Sequence, residues 1–182
     1  EKLSPDMNSL FDLVVSGDDA WRFGDRMKPE PDCYLYAKKV LGLSNPIAFE
    51  DTQISMEAAV RAGIPCVAAP SEWATKQDFS KALLRVKELS EVEGLDSLTQ
   101  MVSATKTTKP VDGLLFGSIG LLAHSSEAQW RAFNQALREK YPQRGAEIEW
   151  DRETYVESLK ACGGRKRLRP FLESKGVAAS EA

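Results

Sequence analysis

Long apolar runs are missing from this 182-residue chain. No stretch approaches the roughly 18 residues a membrane-crossing helix needs, so no spanning segment is expected. A charge excess is missing too: 24 basic against 27 acidic residues leave a formal net charge of −3. That balance gives no reason to expect nucleic acid or a membrane surface as partner. Histidine is represented by His124 alone. A Ser-His-Asp relay would have to use it, but its neighbours Ser125 and Ser126 read more simply as residues that open a helix. Cysteine is scarce. Cys33, Cys66 and Cys162 lie far apart, are odd in number and have no metal-ligand spacing. They read as buried reduced thiols in a reducing compartment. An initiator methionine is also lacking at Glu1, which suggests a processed or partial chain with any targeting peptide removed.

What is present suits one medium domain, or a domain with part of another. "SLFDLVVSGDD" (9–19) reads as a short apolar strand ending in a polar turn. "EPDCYLYAKKVLG" (30–42) reads as a helix, with Pro31 in the first turn, Tyr34, Ala37 and Leu41 on one face, and Gly42 as the stop. "PIAFEDT" (46–52) is a second strand ending in two carboxylates, "QISMEAAVRAG" (53–63) a second helix, and "IPCVAAP" (64–70) a third strand. Such alternation is the pattern of a parallel sheet with crossover helices, whose ligands bind where strands end. "DFSKALLRVKEL" (78–89) looks like a solvent-facing amphipathic helix, and "SATKTTKP" (103–110) like a linker.

Beyond the linker the pattern restarts. "GLLFGSIGLLAHSSEAQW" (113–130) has the build of a strand, a sharp turn and a helix. Ser126 and Gln129 form a capping-box pair, and Trp130, Phe133, Leu137 and Tyr141 share a face. A helix over 149–164 starts at Asp151 as N-cap and stops at Gly163, and a last short helix over 165–176 breaks near Pro170. The basic cluster "GGRKRLRP" (163–170) reads as a solvated face, because no aromatics interleave with it. Trp21 and Trp73 fall in loops and are balanced between partner anchors and core residues.

Chemistry gathers at "MKPEPD" (27–32) and "FEDT" (49–52). Lys28 before a helix and the Glu50–Asp51 pair at a strand end can meet at one sheet edge. A lysine there holds phosphate as a point charge, and carboxylates bind Mg²⁺ through oxygen. Both dipeptides are also common at ordinary turns. The succession "FDLVVSGDD", "KPEPDCYLYAKKVLGL", "FEDT" and "EAAVRAGIPCVAAP", covering about 9–98, resembles the C-terminal half of haloacid dehalogenase-like (HAD) hydrolases. The likeness is to the β-phosphoglucomutase and phosphoglycolate phosphatase subgroup, including its plant and algal members. By that resemblance Lys28 is the phosphate-holding lysine and Glu50 and Asp51 are the magnesium-side acids. Ser55 departs from a glycine usual in the family.

The same family begins with Phe-Asp-x-Asp-Gly-Thr-Leu. "LFGSIGLL" (115–122) resembles that motif with Phe116 and Gly120 kept, but the nucleophilic aspartate falls on Gly117 and the acid/base aspartate on Ile119. Glycine has no oxygen to attack phosphorus and isoleucine no proton to give a leaving group. Ser118 points away from both neighbours along a strand and is a poor substitute. Asp112 precedes the strand instead of ending it. "EWDRETYVESLKACGGRKRL" resembles the start of the family's helical cap.

The resemblance therefore implies an α/β fold, a HAD-like Rossmannoid parallel sheet flanked by helices, incomplete or rearranged, with a small helical cap-like C-terminal part. Residues 1–102 resemble the C-terminal half of the core, 103–110 the linker, and 111–182 the N-terminal half with the cap start. The halves stand in swapped order, either as a piece of a tandem protein or as a permuted, shortened domain. The expected function is that of an inactive pseudo-enzyme, a structural or docking subunit bound to other protein subunits, with no intact catalytic residue (Lys28 a remnant), no cofactor, and at most a vestigial metal pair in Glu50 and Asp51. The alternative is a Mg²⁺-dependent phosphatase or phosphomutase-type hydrolase whose nucleophile comes from another segment or a partner copy. A third possibility is a phosphate-ligand sensor using Lys28 without turnover. An organelle, plastid or mitochondrion, is expected from the algal and plant likeness.

Overall fold

The computed structural model describes residues 9–16, 19, 21–22, 24, 26–92, 94, 100, 110–118, 120–161 and 163–177. In chain order these form α1 (Asp32–Val40), β1 (Pro46–Glu50), α2 (Gln53–Arg61), β2 (Cys66–Ala68), β3 (Leu84–Arg85), β4 (Gly113–Phe116), α3 (Ser126–Lys140), α4 (Arg152–Ser158) and α5 (Gly164–Ser174). The four strands make one parallel sheet in the order β3-β2-β1-β4. It is an α/β Rossmannoid sheet flanked by helices.

The local chemistry explains the elements. β1 is buried at all five residues, the continuous apolar reading of a parallel strand covered on both faces. Alternation sends Ala48, Cys66 and Ala68 into one core with Tyr34, Met56 and Ile64, and Ile47, Phe49 and Val67 into another with Val86. In α1, Asp32 in the first turn and Lys38 and Lys39 in the last oppose the helix dipole. α2 ends where Gly63 takes φ +71 and the amides of Gly63 and Ile64 donate back to Val60 and Ala59. β4 joins the second half of the chain to the first: Ala48 is in register with both Cys66 and Leu115.

Several expectations are corrected. The run at 9–16 is not a strand: it pairs with no strand of the sheet, and Leu10 is 75% exposed. Apolar composition alone does not make a strand without a hydrogen-bonded neighbour. The amphipathic helix over 78–89 is absent as well. Asp78 and Ser80 form a turn, and Leu84 and Arg85 extend to pair with β2, because a short apolar run fits strand and helix periods equally. Helix α3 starts at Ser126 with Ser125 as N-cap, so Ser126 does not cap it. Asp151 does cap α4, accepting from the Thr154 amide at 2.9 Å, but α4 ends at Ser158, before Gly163. α5 runs through Pro170 without breaking, held by buried Phe171 and Leu172. The linker lies outside the described residues except Pro110, as does Cys162. Cys33 and Cys66 are free thiols, Cys66 buried and Cys33 half-buried.

A further core gathers Trp73, Leu137, Tyr141, Ile148, Trp150, Tyr155, Phe171, Leu172 and Val177, with Trp130 and Phe133 packed against it. Asn134 ties it together: its amide donates to the Trp150 carbonyl at 2.9 Å and its oxygen accepts from the Trp150 amide at 2.7 Å. Trp73 is a core residue at 3% exposure, whereas Trp21 is 68% exposed. Trp73 comes from the first half of the chain. It meets Tyr155 edge-on at 5.8 Å and lies 4.4 Å under the Arg152 guanidinium. Trp73→Ala should therefore cost about 3–5 kcal/mol and lower the melting temperature by roughly 10 °C. Thermal unfolding followed by circular dichroism checks this, and a loss under about 1 kcal/mol would contradict the packing.

Candidate active site at the carboxyl edge of the sheet

β1 ends at Glu50, and the chain turns there into α2, so Glu50 and Asp51 sit side by side at the carboxyl edge. Both are buried, Glu50 at 1% and Asp51 at 5% exposure. Burial of two carboxylates requires partners. Glu50 has them: Lys28 Nζ donates to its Oε1 at 2.6 Å, and the Tyr34 hydroxyl donates to the same oxygen. Lys28 also donates to Ser55 Oγ at 3.3 Å. The structure thus brings Lys28 and Glu50 into one cluster, and Ser55, at the position of departure from the family pattern, contributes a contact. Tyr34 was visible in the sequence only as a member of a helix face. Its phenol reaches the site because Tyr34 lies on the buried face of α1, in the same core as Ala48 of β1 and Met56 of α2.

Asp51 points elsewhere. Its carboxylate lies against Gly120, while the Ser71 hydroxyl contributes a hydrogen bond. Burial first, and then the Glu50 charge, push its carboxyl up to about 7. Burial, helped by the Glu50 charge, pushes the Cys66 thiol up to about 12, and the same two causes raise the Tyr34 phenol well above its usual value. The Asp51 displacement has a definite sign. The fold favours the neutral acid, so below about pH 4 Asp51 is protonated in both states and costs nothing. As pH rises from about 4 to 7 the folded state holds more protons than the unfolded one, and stability falls, levelling off above 7. At 1.36 kcal/mol per tenfold change in proton affinity the loss is on the order of 4 kcal/mol. Urea titrations at pH 4.5 and 8 should show a smaller decline in Asp51→Asn than in the parent chain; equal declines would contradict the assignment.

The strand–turn segment completes the edge. Gly117 follows β4, and its amide donates to the Phe49 carbonyl at 2.9 Å. A β-carbon on Gly117 would overlap Glu50 Oε2 and stand 2.9 Å from its Cδ. The Glu50 carboxylate therefore fills the space that any side chain at 117 would enter. Gly120 adopts φ +89, and a β-carbon there would overlap Asp51 Oδ2. Ile119 lies outside the described residues. Asp112 sits at the opposite, amino end of β4, where its carboxylate accepts from the Ser44 and Asn45 amides at 2.6 and 2.9 Å. His124 is exposed in the turn before α3, and in the basic cluster Arg165, Lys166 and Arg169 are exposed while Arg167 is half-buried.

A magnesium ion does not fit this arrangement. One Glu50 oxygen is taken by an ammonium and a phenol, the other faces Gly117, and Asp51 turns toward Gly120. Among the described residues no group of three or more His, Cys, Asp or Glu side chains is disposed to hold a metal ion. No helix among them is long and apolar enough to cross a membrane.

A parallel sheet carrying a lysine and a carboxylate pair at its carboxyl edge is the arrangement expected of a HAD-like Rossmannoid protein. Comparison with known proteins agrees. Over 83 residues the chain is 37% identical to protein CbbY of Rhodobacter capsulatus, covering 44% of this chain and 35% of that protein. It is 32% identical over 96 residues to a haloacid dehalogenase-like hydrolase domain-containing protein of Arabidopsis thaliana, covering 50% and 29%. YhcW of Bacillus subtilis, named as a candidate phosphatase, is 34% identical over 85 residues, covering 46% and 37%. Over the matched segments the chain is thus similar to haloacid dehalogenase-like proteins, which supports that kinship. It spans about a third of the length of these relatives. No protein-family profile matches it, and no solved structure does.

Proposed function

We propose that this chain is a HAD-like domain without a phosphoryl nucleophile of its own, kept as a structural or docking subunit among other proteins. The observation that carries this reading is the Gly117–Glu50 contact. The position that resembles the family's nucleophile has no side chain, and a neighbouring carboxylate, already paired with Lys28, occupies the place of one. In-line attack needs a free anionic oxygen near phosphorus, and an oxygen neutralised by an ammonium is a weak nucleophile. The shared sheet of β1 and β4 supports a permuted, shortened domain over a piece of a tandem protein. With p-nitrophenyl phosphate and Mg²⁺ the chain should show no turnover above buffer. Robust hydrolysis that disappears in Asp51→Asn would overturn the reading.

The relatives favour a second reading. Their names are those of hydrolases and a candidate phosphatase, which supports a phosphatase-type activity more than an inactive domain. In that case another segment or a partner copy delivers the nucleophile, and Lys28 leaves Glu50 to hold the phosphate. An Asp-x-Asp motif elsewhere in the complete gene, with hydrolysis by the full product, would establish it. A plastid or mitochondrial location is part of the proposal, tested by the distribution of a tagged full-length protein.

A further inference from the structure

We infer that the Lys28–Glu50 pair is an autoinhibitory contact: the Glu50 carboxylate holds the ammonium as an anionic ligand would, so a phosphate group enters this site only when the pair is broken. This deepens the inactive-domain reading and rests on it. A lysine ammonium has three N–H donors and no acceptor. Three acceptors of this chain already stand within reach of it. Lys28 Nζ lies 2.6 Å from Glu50 Oε1, 3.3 Å from Ser55 Oγ and 3.4 Å from the Tyr34 hydroxyl. That hydroxyl donates in turn to the same Glu50 oxygen, so the phenol ties the two charges to each other. The ammonium also sits 5.1 Å from the centre of the Tyr34 ring, a further attraction for a cation.

Space does not keep a phosphate out. Lys28 and Glu50 both line a cavity of about 700 Å³, and the lysine is the more open of the two, at 24% against 1% side-chain exposure. Charge keeps it out. The pair sums to zero, and an anion drawn to the ammonium meets a carboxylate 2.6 Å from it. Like charges at such range repel strongly where water is excluded. The competition is also unequal, because Glu50 is fixed beside Lys28 by the chain, whereas free phosphate loses its translational freedom on binding.

Glu50 is not free to stand aside. Its second oxygen fills the space over Gly117, and parting from the ammonium would leave a buried charge without a counter-ion. Arg26, another cation lining the cavity, is occupied in the same manner by Asp32, which is 7% exposed.

Calorimetry with inorganic phosphate on the whole chain tests this. Glu50→Gln keeps the shape of the side chain and removes its charge, and should bind phosphate at least tenfold more tightly than the parent. Adding Lys28→Met to Glu50→Gln should abolish that gain, since the two variants differ in the ammonium. Equal affinities of the parent and Glu50→Gln would overturn the block. Binding retained in the double variant would place the phosphate on another cation of the cavity, such as Arg26 or Arg167, and overturn the assignment to Lys28. One check needs no variant to fold: acylation of Lys28 in the parent, mapped by mass spectrometry, should run at one rate with and without phosphate. Protection of Lys28 by phosphate would overturn the block. A p-nitrophenyl phosphate assay separates the two proposals. Turnover by the parent that survives Lys28→Met removes the inactive reading and leaves the block standing, whereas phosphate binding at Lys28 of the parent without turnover removes the block alone.

Discussion

Lys28→Met should lower the stability of the chain by about 3 kcal/mol or more, in the range seen when one partner of a buried ion pair is removed. At 2–4 °C for each kcal/mol in a domain of this size, the melting temperature should fall by roughly 10 °C. The cause is Glu50. With 1% exposure it depends on the ammonium at 2.6 Å and on the Tyr34 phenol for its charge to be tolerated. Methionine keeps the stem and removes the charge, so the loss reports the stranded carboxylate and not missing packing. Adding Glu50→Gln to the same chain should recover much of the loss, because an uncharged amide needs no counter-ion. Circular dichroism melts of the two variants are sufficient. A Lys28→Met protein as stable as its parent would mean that Lys28 does not hold Glu50 in solution.

Gly117→Asp should be worse, at about 4 kcal/mol, and should bring no phosphatase activity. Two effects add. The new β-carbon enters the space of Glu50 Oε2, and overpacking of this kind typically costs about 1–3 kcal/mol. A second carboxylate is then forced beside buried Glu50, whose charge is already matched by the Lys28 ammonium. Combining Gly117→Asp with Glu50→Ala should return more than half of the lost stability, a coupling of about 2 kcal/mol or more between neighbouring side chains. Urea unfolding of the single and double variants measures it. Additive effects would show that Glu50 does not occupy the place vacated at 117.

The parts of this fold that were legible in the sequence are those in which one residue pattern permits one structure. The PIAF run is apolar throughout and ends at Glu50 before a polar turn, and together they form the fully buried β1. Asp151 ahead of Arg152–Ser158 is a cap whose side chain has one obvious amide to accept from. Lys28 ahead of a helix and Glu50 at a strand end are placed by their elements at one sheet edge, and they meet there. The failures have a common origin in partnership. Residues 9–16 and 82–86 carry short, largely apolar runs, yet among the described strands only the second supplies one that pairs, at Leu84 and Arg85. Whether such a run becomes a strand is decided by its neighbour, which the run itself does not encode. The site has the same limit. The spacing of Tyr34 places it on a core face, and nothing in that spacing reveals that its hydroxyl reaches past the core to a carboxylate sixteen residues on. The departure of Asp51 from Glu50 was equally hidden, since adjacent acids at a strand end can turn the same way or opposite ways.

The distribution of indole rings decides what light can report. All four tryptophans are Trp21, Trp73, Trp130 and Trp150; the last three belong to the cluster around Tyr155, while Trp21 already faces water. Neither of the two layers packed on the sheet contains one. Emission spectra recorded during denaturation will therefore follow the C-terminal helices, and the lysine–glutamate corner could come apart without changing their colour.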